Sequence, residues 1–510
     1  MKLLGFISAA FLICCAYFTN AQNQGSVWCF GDSALVDFSD TANIITGSSM
    51  VKSRGSCASI ADSSGNLLFY VSYDPTVIIA GTDPVKAYNS NHQVMANGDS
   101  MKGGGWYNEI TIVPFPGSDS LYYIFYIGVT LDYGLYYSIV DMSANGGLGE
   151  VIQKNVQLHN YKSADGLKAI KHGNGRDWWI INRRWNNINN TFYKYLISPA
   201  GVSDSMPQNI GFATYHGFSR IQFSNKGNKM IAYTLAGTLE LYDFDRCTGQ
   251  LSNLQTIYTE NPQLFLRNFW GACFSPNDSL LYITSIPQLS TDTSRLYQFD
   301  LTATNIAASG DTLWQTQFNE TMGFLKLAPD GKIYLATNYY QYYPYQDTMY
   351  NNTNMYLSTI NSPNSLGSAC DLQTYSFYLG GKRTYVGLPN NPDYTLSAMS
   401  GSPCDTLTNL TPNPFPLERG AELFVTYIAS WQKLFVNAQH LKGKKVELKI
   451  IDITGKIIYS AARGLSPSGV GGSAGGYFTQ DVNCSTLAKG MYIVSLQTEK
   501  EKLVNKFVVE

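Results

Sequence analysis

The sequence predicts an all-β protein in which a seven-bladed β-propeller is followed by a small β-sandwich. One phrase, a Gly/Asn/Asp turn followed at once by an apolar and aromatic strand, occurs six times at intervals of about 50–55 residues. That interval is the length of a four-stranded propeller blade. Aromatic residues make up 14% of the chain and include 36 Tyr, which favours strand surfaces. After about residue 405, alternating apolar positions predict a separate antiparallel domain.

The repeated phrase is interpreted as the hairpin between the first and second strands of each blade. Asn, Asp and Gly supply the backbone angles that tight turns need. The copies are SSGNLLFY (63–70), PGSDSLYYIF (116–125), HGNGRDWWII (172–181), SNKGNKMIAY (224–233), SPNDSLLYIT (275–284) and APDGKIYLAT (328–337).

A short strand of small and apolar residues precedes each turn, and small residues suit strands that converge on a central axis. These predicted first strands begin at Cys57, Asn108, Gly166, Gly217, Gly271 and Gly323. Third strands are predicted at 134–141, 191–198, 239–245, 295–301 and 355–361.

A seventh first strand is predicted at YVGLPNNPDY (385–394), close to the end of the propeller. Its partners would come from SVWCFGDSALVDFS (26–39), so the two ends would close the ring and leave only short edges. A six-bladed propeller with loose ends is the alternative.

The first 21 residues have the pattern of a secretory signal peptide, with Lys2, an apolar run and the small-residue site Thr19-Asn20-Ala21. A lipoprotein signal that uses Cys14 or Cys15 is the alternative. We therefore expect export, a propeller over 22–404 and a second domain over 405–510. No later apolar run is long enough to predict a membrane span.

Seven cysteines follow the signal, an odd number, so at least one should stay free or pair outside the chain. A disulfide between Cys247 and Cys273 is predicted, with two buried free thiols as the equally weighted alternative. Cys29 with Cys57 is a weaker second candidate pair.

The last hundred residues resemble the type A C-terminal sorting domain of the type IX secretion pathway. The resemblance rests on PNP (412–414), DITGK (452–456), LAKGMYIV (487–494) and KFVV (506–509), in this order. It implies export across the outer membrane by the type IX machinery, with Gly490, Tyr492, Lys506 and Val508 in the sorting signal. It also implies release from the cell or attachment to its surface. An ordinary Ig-like binding module is the alternative.

The propeller resembles surface propellers that accompany gliding-motility and adhesion proteins in bacteria with this secretion route. The shared phrases are WCFGDSALVDFS, CASIADSSGNLLFY, NHQVMANG, KLAPDGKIYLAT and VGLPN. Cys29 stands where the family has an aromatic residue, and no repeat domains follow the propeller. The resemblance implies surface binding or adhesion and carries no common chemistry.

Known catalytic patterns are missing from the sequence: it has no HExxH, GxSxG or P-loop motif. No cysteine and histidine spacing fits zinc, and we expect neither a metal nor a cofactor. A formal charge of -2 gives no reason to expect a nucleic acid partner. We expect a monomer.

Binding is therefore the favoured function, at the mouth of the channel where loops next to the first strands gather. Arg and Trp often carry interface energy. The alternative is that these aromatic rings wedge the blades together while the arginines pair with carboxylates. The candidates are Trp106, Tyr107, Glu109, Arg183, Arg184, Trp185, His216, Arg220, Arg267 and Trp270.

Two hypotheses remain open. A noncatalytic propeller that binds an extracellular protein or glycan predicts an aromatic mouth without paired carboxylates. A polysaccharide hydrolase or lyase predicts two acids, or an acid with a His/Arg cluster, in one mouth.

Overall fold

The computed structural model describes residues 23–73, 84–103, 107–128, 133–185, 189–214, 218–259, 268–286, 293–317, 320–339, 349–405, 422–428, 432–441, 445–452, 454–464, 466–467, 476–500 and 502–509. The predicted signal peptide lies outside these residues. The described chain is all-β, with strands β1–β35 and one short helix, α1 (Asn352–Met355). Within the described ranges, no helix has the length and apolar character that a bilayer crossing needs.

Seven antiparallel sheets, named A to G in chain order, form the N-terminal region. Sheet A contains β1 (Val27–Phe30), β2 (Asp32–Asp37) and β3 (Ile45–Lys52), and sheet B contains β4 (Cys57–Ala61), β5 (Leu67–Tyr73) and β6 (Val85–Asn89). Sheet C contains β7 (Ile110–Pro114), β8 (Leu121–Gly128), β9 (Gly134–Asp141) and β10 (Glu150–His159). Sheet D contains β11 (Lys168–Lys171), β12 (Trp178–Arg183), β13 (Asn189–Ser198), β14 (Gly201–Val202) and β15 (Met206–Thr214).

The remaining three sheets of this region each contain four strands in chain order. Sheet E contains β16 (Ser219–Phe223), β17 (Lys229–Thr234), β18 (Leu239–Phe244) and β19 (Leu251–Tyr258). Sheet F contains β20 (Asn268–Phe274), β21 (Leu280–Ile286), β22 (Arg295–Asp300) and β23 (Asp311–Gln315). Sheet G contains β24 (Glu320–Leu327), β25 (Ile333–Tyr339), β26 (Tyr356–Ile360) and β27 (Leu372–Tyr378).

The six repeated phrases form the hairpins between first and second strands of sheets B to G, as predicted. Five of these turns contain a glycine in the left-handed region, for example Gly65 at φ 95° and Gly331 at φ 79°. The turn of sheet F uses Asp278 instead, at φ 63°. A short polar side chain tolerates this conformation better than an apolar one, which is why the phrase can vary without changing the turn.

Apolar side chains between neighbouring sheets form the core of this region. One cluster joins sheets G, A and B, and a second joins B, C and D. Three further clusters join D with E, E with F, and F with G. The first strands follow the same order, because β1 lies next to β4, β4 next to β7, and so on to β20 and β24. Each sheet therefore buries its faces against the sheets beside it.

The predicted seventh first strand is wrong, because residues 385–394 form no strand. These residues belong to a segment, here named the strap (residues 384–405), that lies along the first strands of several sheets. The amide of Phe324 donates to the carbonyl of Val386 at 2.7 Å, and the amide of Asn390 donates to the carbonyl of Cys57 at 2.9 Å. The seventh sheet is instead the N-terminal sheet A, whose first strand contacts β4.

The predicted disulfide between Cys247 and Cys273 is also wrong. Cys247 is bonded to Cys404, so the bond fastens the end of the strap to the turn after β18. Cys273 is a buried free thiol on β20, and Cys29 and Cys57 are buried free thiols as well. The sequence did not indicate this bond, because the two bonded cysteines are 157 positions apart in the chain.

The C-terminal region contains two four-stranded antiparallel sheets, H and I. Sheet H consists of β28 (Glu422–Ile428), β29 (Lys433–Leu441), β33 (Gly476–Asn483) and β32 (Ser466–Pro467), in this order. Sheet I consists of β31 (Ile457–Gly464), β30 (Lys445–Asp452), β34 (Gly490–Thr498) and β35 (Lys502–Val509). One apolar cluster contains side chains from both sheets, including Val436 from sheet H and Leu448 from sheet I.

Candidate functional site

A buried cluster of charged and aromatic side chains, here named the axial cluster, lies where several first strands begin. It consists of Tyr107, Glu109, Asp165, Arg220, Trp270 and Phe324. Neighbouring first strands run parallel at this point, as the bridge between Asn108 and Gly166 indicates. Residues far apart in sequence but at the same position of their blades therefore meet near the axis.

Arg220 lies at the centre of the axial cluster. Its Nη2 donates to Asp165 Oδ2 at 3.3 Å, and both side chains are buried. The guanidinium carbon lies 4.1 Å from the ring centre of Trp270 and 4.9 Å from that of Tyr107. Nε and Nη1 of Arg220 have no hydrogen-bond partner among the described residues. The faces of the Trp270 and Tyr107 rings therefore stabilise the part of this buried cation that forms no hydrogen bond.

Glu109 is the second acid of the cluster, and none of its surface is exposed. Its Oε2 accepts hydrogen bonds from Ser56 Oγ and from the amide of Tyr107, whereas Oε1 has no partner among the described residues. Burial, and then the charge of Asp165, raises the pKa of Glu109 to about 8. Burial raises the pKa of Asp165 to about 6, although the charge of Arg220 opposes the shift. The pair can hold a proton at neutral pH.

Three other predicted binding residues are not part of this cluster and lie at the end of β12 and directly after it. Arg183 donates to the carbonyl of Phe212 and to Ser219 Oγ, and it packs on the Phe192 ring. Arg184 lies 5.0 Å above the ring of Tyr161, and Trp185 lies 5.3 Å from Lys162 Nζ. These side chains join neighbouring strands and do not meet Glu109.

The structure therefore unites Tyr107, Glu109, Arg220 and Trp270 of the predicted set. Trp106, His216 and Arg267 lie outside the described residues. Sequence reasoning missed Asp165, although it directly precedes the first-strand phrase GLKAIK, as Tyr107 directly precedes the phrase NEITIVP one blade earlier.

A cavity of about 690 Å³ begins next to the axial cluster, with Phe324 in the wall of both. Its wall contains residues of β11, β16, β20 and β24 together with the strap. It extends to the hairpin turns at Asn225 and Pro329. Two lysines, Lys168 and Lys326, line it, and sequence reasoning missed both. Their signal was a charged residue inside a strand that should be apolar, as in GLKAIK and GFLKLAP.

The described residues contain no group of three or more His, Cys, Asp or Glu side chains that could hold a metal ion. Carboxyl, guanidinium, ammonium and amide groups, together with aromatic rings, are present in the axial cluster and in the cavity wall.

In the C-terminal region, the four predicted sorting residues lie on two paired strands. Gly490 pairs with Val509, Tyr492 with Phe507, and Lys506 with Ile493. The rings of Tyr492 and Phe507 are 5.4 Å apart, whereas the side chain of Val508 is exposed. Strand β35 is the last strand of sheet I.

Residues 432–510 match the model of the secretion system C-terminal sorting domain. The chain carries a type IX sorting domain. Proteins with this sorting domain are directed to the cell surface or the extracellular space, so the chain is an exported protein. The sorting domain also implies an interaction with the secretion machinery.

No curated protein is detectably similar to the chain in sequence. Similar solved structures include the β-propeller domain of Myceliophteria thermophila Cps50 (Swd1), at 8% identity and a TM-score of 0.35, which covers 61% of this chain and 93% of that one. The Dos1 propeller has 13% identity and a TM-score of 0.32, with 61% and 74% of the two chains covered.

Enzymes also occur among the similar structures. The GH43_1 enzyme from Xanthomonas citri complexed with xylose has 10% identity and a TM-score of 0.28, with 45% of this chain and 80% of that one covered. All three TM-scores are below 0.5, so these likenesses decide neither the number of blades nor the function.

Proposed function

We propose that residues 22–404 form a closed seven-bladed propeller and that residues 405–510 form an Ig-like sandwich. The support for seven blades is the cyclic order of the apolar clusters, which run from sheet A through B to G and return to A. The support for the sandwich is the single core that sheets H and I share. A closed ring leaves few exposed strand edges.

The proposed function is noncatalytic binding of an extracellular protein or glycan by a monomeric, exported propeller. The observation that carries this proposal is the cavity on the axis, which has polar and aromatic walls and a volume typical of ligand pockets. Glu109, Asp165 and Arg220 support it in a second way, because all three are almost fully buried and contact protein groups. Buried acids of this kind stabilise the fold and are not accessible to a polysaccharide substrate.

A polysaccharide hydrolase or lyase is the second candidate, and one observation favours it. Glu109 and Asp165 are two acids with raised pKa values beside a guanidinium, which is a combination used in general acid and base catalysis. Their burial is the reason why this candidate comes second.

Glycan and peptide arrays probed with the purified full-length chain test the proposal. We expect binding to a defined ligand class, and incubation with that ligand should leave its chain length unchanged by mass spectrometry. Cleavage that Glu109→Gln or Asp165→Asn abolishes would establish the second candidate instead. Failure to bind any arrayed glycan or peptide would contradict the binding proposal.

A further inference from the structure

The cavity contains more positive charge than its walls neutralise. Lys168 Nζ donates to Asn390 Oδ1 at 2.7 Å, and Lys326 Nζ donates to the carbonyl of Asn391 at 3.1 Å. Both acceptors are neutral oxygens of the strap. Each ammonium has three N–H donors, and neither lysine is in an ion pair among the described residues. The two cations therefore retain donors for a further partner.

One carboxylate, Asp393, is present among the described lining residues. It also interacts with residues other than the two lysines. Asp393 Oδ1 accepts hydrogen bonds from the amide and hydroxyl of Thr395 at 2.8 and 2.7 Å. Its charge also acts on Lys171 and Arg246 at the same end of the strap. A single carboxylate shared among these cations leaves a net positive charge in this part of the axis.

Both lysines have pKa values close to neutral pH. Burial, and then the charge of Lys326, lowers the pKa of Lys168 to about 7, whereas Cys273 opposes the shift. Burial lowers the pKa of Lys326 to about 8, against the influence of Cys273, Asp393 and Cys57. The two thiols have pKa values raised to about 12 by burial, so they are neutral at this pH. A bound anion would favour the charged lysines.

The other walls of the cavity suit a ring with hydroxyl groups. Amide side chains can exchange hydrogen bonds with hydroxyls, and aromatic faces can contact the apolar faces of a sugar. The amides are Asn108, Gln222 and Asn225, and the rings are Trp28, Tyr233 and Phe274. Trp28 lies beside a lysine, with its ring centre 5.6 Å from Lys326 Nζ.

We propose that this cavity binds the carboxylate of a small acidic sugar, with Lys168 and Lys326 as the two cationic contacts. This inference rests on the proposed binding function and names its ligand class. The cavity volume accommodates one or two sugar rings, which corresponds to the end of an acidic glycan or to a free uronic acid.

Calorimetric titration of the full-length chain at pH 6.5 with D-glucuronate, D-glucose and inorganic phosphate tests the inference. We expect glucuronate to bind at least tenfold more tightly than glucose, which lacks the carboxylate, and than phosphate, which lacks the ring. Lys168→Met and Lys326→Met should each weaken glucuronate binding at least tenfold. Glucose or phosphate binding as tight as that of glucuronate would overturn the inference.

Lys194→Met is the matched control. Lys194 is also a buried lysine whose pKa burial lowers to about 8, but it donates to Gln208 on the outer strands of sheet D. This variant should bind glucuronate as the unmodified chain does. An equal loss of binding in all three lysine variants would contradict a role specific to Lys168 and Lys326.

The unmodified chain provides a test that does not depend on the folding of any variant. Because a bound carboxylate favours charged lysines, glucuronate binding should take up protons, and its affinity should fall as the pH rises from 6.5 to 9. Titrations at pH 8, where a part of both lysines is neutral before binding, in two buffers with different ionisation enthalpies measure this uptake. Binding without proton uptake would overturn the inference, whereas array hits restricted to neutral ligands would overturn it and leave the proposed function standing.

Discussion

Glu109 should make the folding stability of the protein depend on pH. Its pKa is raised from an ordinary value of 4.5 to about 8, so the folded state binds more protons than the unfolded state between these values. This contribution to stability is complete below pH 4.5 and is lost as the pH rises through 8. Glu109→Gln should reduce the slope of the free energy of unfolding against pH between pH 5 and 7, by up to ~1.4 kcal/mol for each pH unit.

Urea unfolding followed by tryptophan fluorescence at pH 5, 6 and 7 measures this slope. Glu240→Gln is a suitable control, because Glu240 is also buried but accepts from Tyr242 and the amide of Phe212, outside the axial cluster. It should keep the pH slope of the unmodified chain. A Glu109→Gln variant with that same slope would show that Glu109 is already ionised at pH 5.

Arg220 and Asp165 should show strong energetic coupling. Removal of one member leaves the other charge buried without its partner, which costs about 3–5 kcal/mol in comparable pairs. Arg220→Met and Asp165→Asn should therefore each lower the free energy of unfolding by that order. The double variant should lose less than the sum of the two, as measured by a double-mutant cycle at pH 8. Additive losses would contradict the pairing seen at 3.3 Å.

The hairpins of the propeller region could be predicted from sequence because their determinants are local. A turn needs particular residues within four positions, and the phrases that supply Gly65, Asp278 or Gly331 do so visibly. The third strands were predicted for the same reason, and β9 (Gly134–Asp141) matches its predicted bounds. Four of the six residues of the axial cluster were predicted, but Asp165 was missed because it lies 55 residues from its partner Arg220.

A first strand was wrongly predicted in the strap because its apolar residues resemble those of the other first strands, although its prolines argue against a strand. Pro389 and Pro392 have no amide hydrogen and are rare in central strands. The strap bonds through Asn390 instead, whose Nδ2 donates to the carbonyls of Asn108, Ile110 and Leu167. A side chain that bonds two neighbouring sheets cannot be recognised before the sheets are placed.

The bond between Cys247 and Cys404 should hold the strap against the first strands. Cys247→Ser with Cys404→Ser should lower the free energy of unfolding by about 2–5 kcal/mol, the usual effect of losing a native disulfide. Limited proteolysis should then cut between residues 390 and 405 faster than in the unmodified chain. Nonreducing peptide mapping of the unmodified chain should find Cys247 linked to Cys404. A Cys247–Cys273 peptide, or unchanged proteolysis, would contradict this assignment.

The two ends of the described N-terminal region contact each other, which makes the fold of this region cooperative. Sheet A supplies Asp32, whose amide and carboxylate both contact Arg383, the residue directly before the strap. The strap then contacts sheets G, B, C and D before its disulfide. Loss of either end would therefore expose apolar faces of several sheets, so we infer that the region folds as one unit.

Export of the whole protein should depend on the last strand of the sorting domain. Deletion of residues 506–510 removes the part of β35 that pairs with Gly490–Ile493, together with the buried Phe507 and Val509. We expect the truncated chain to accumulate in the periplasm, with at least a tenfold loss from the cell surface and medium on quantitative immunoblots of the fractions. Val504→Ser, an exposed substitution on the same strand, should be exported normally. Truncated protein outside the cell at the level of the unmodified chain would mean that the sorting signal does not require this strand.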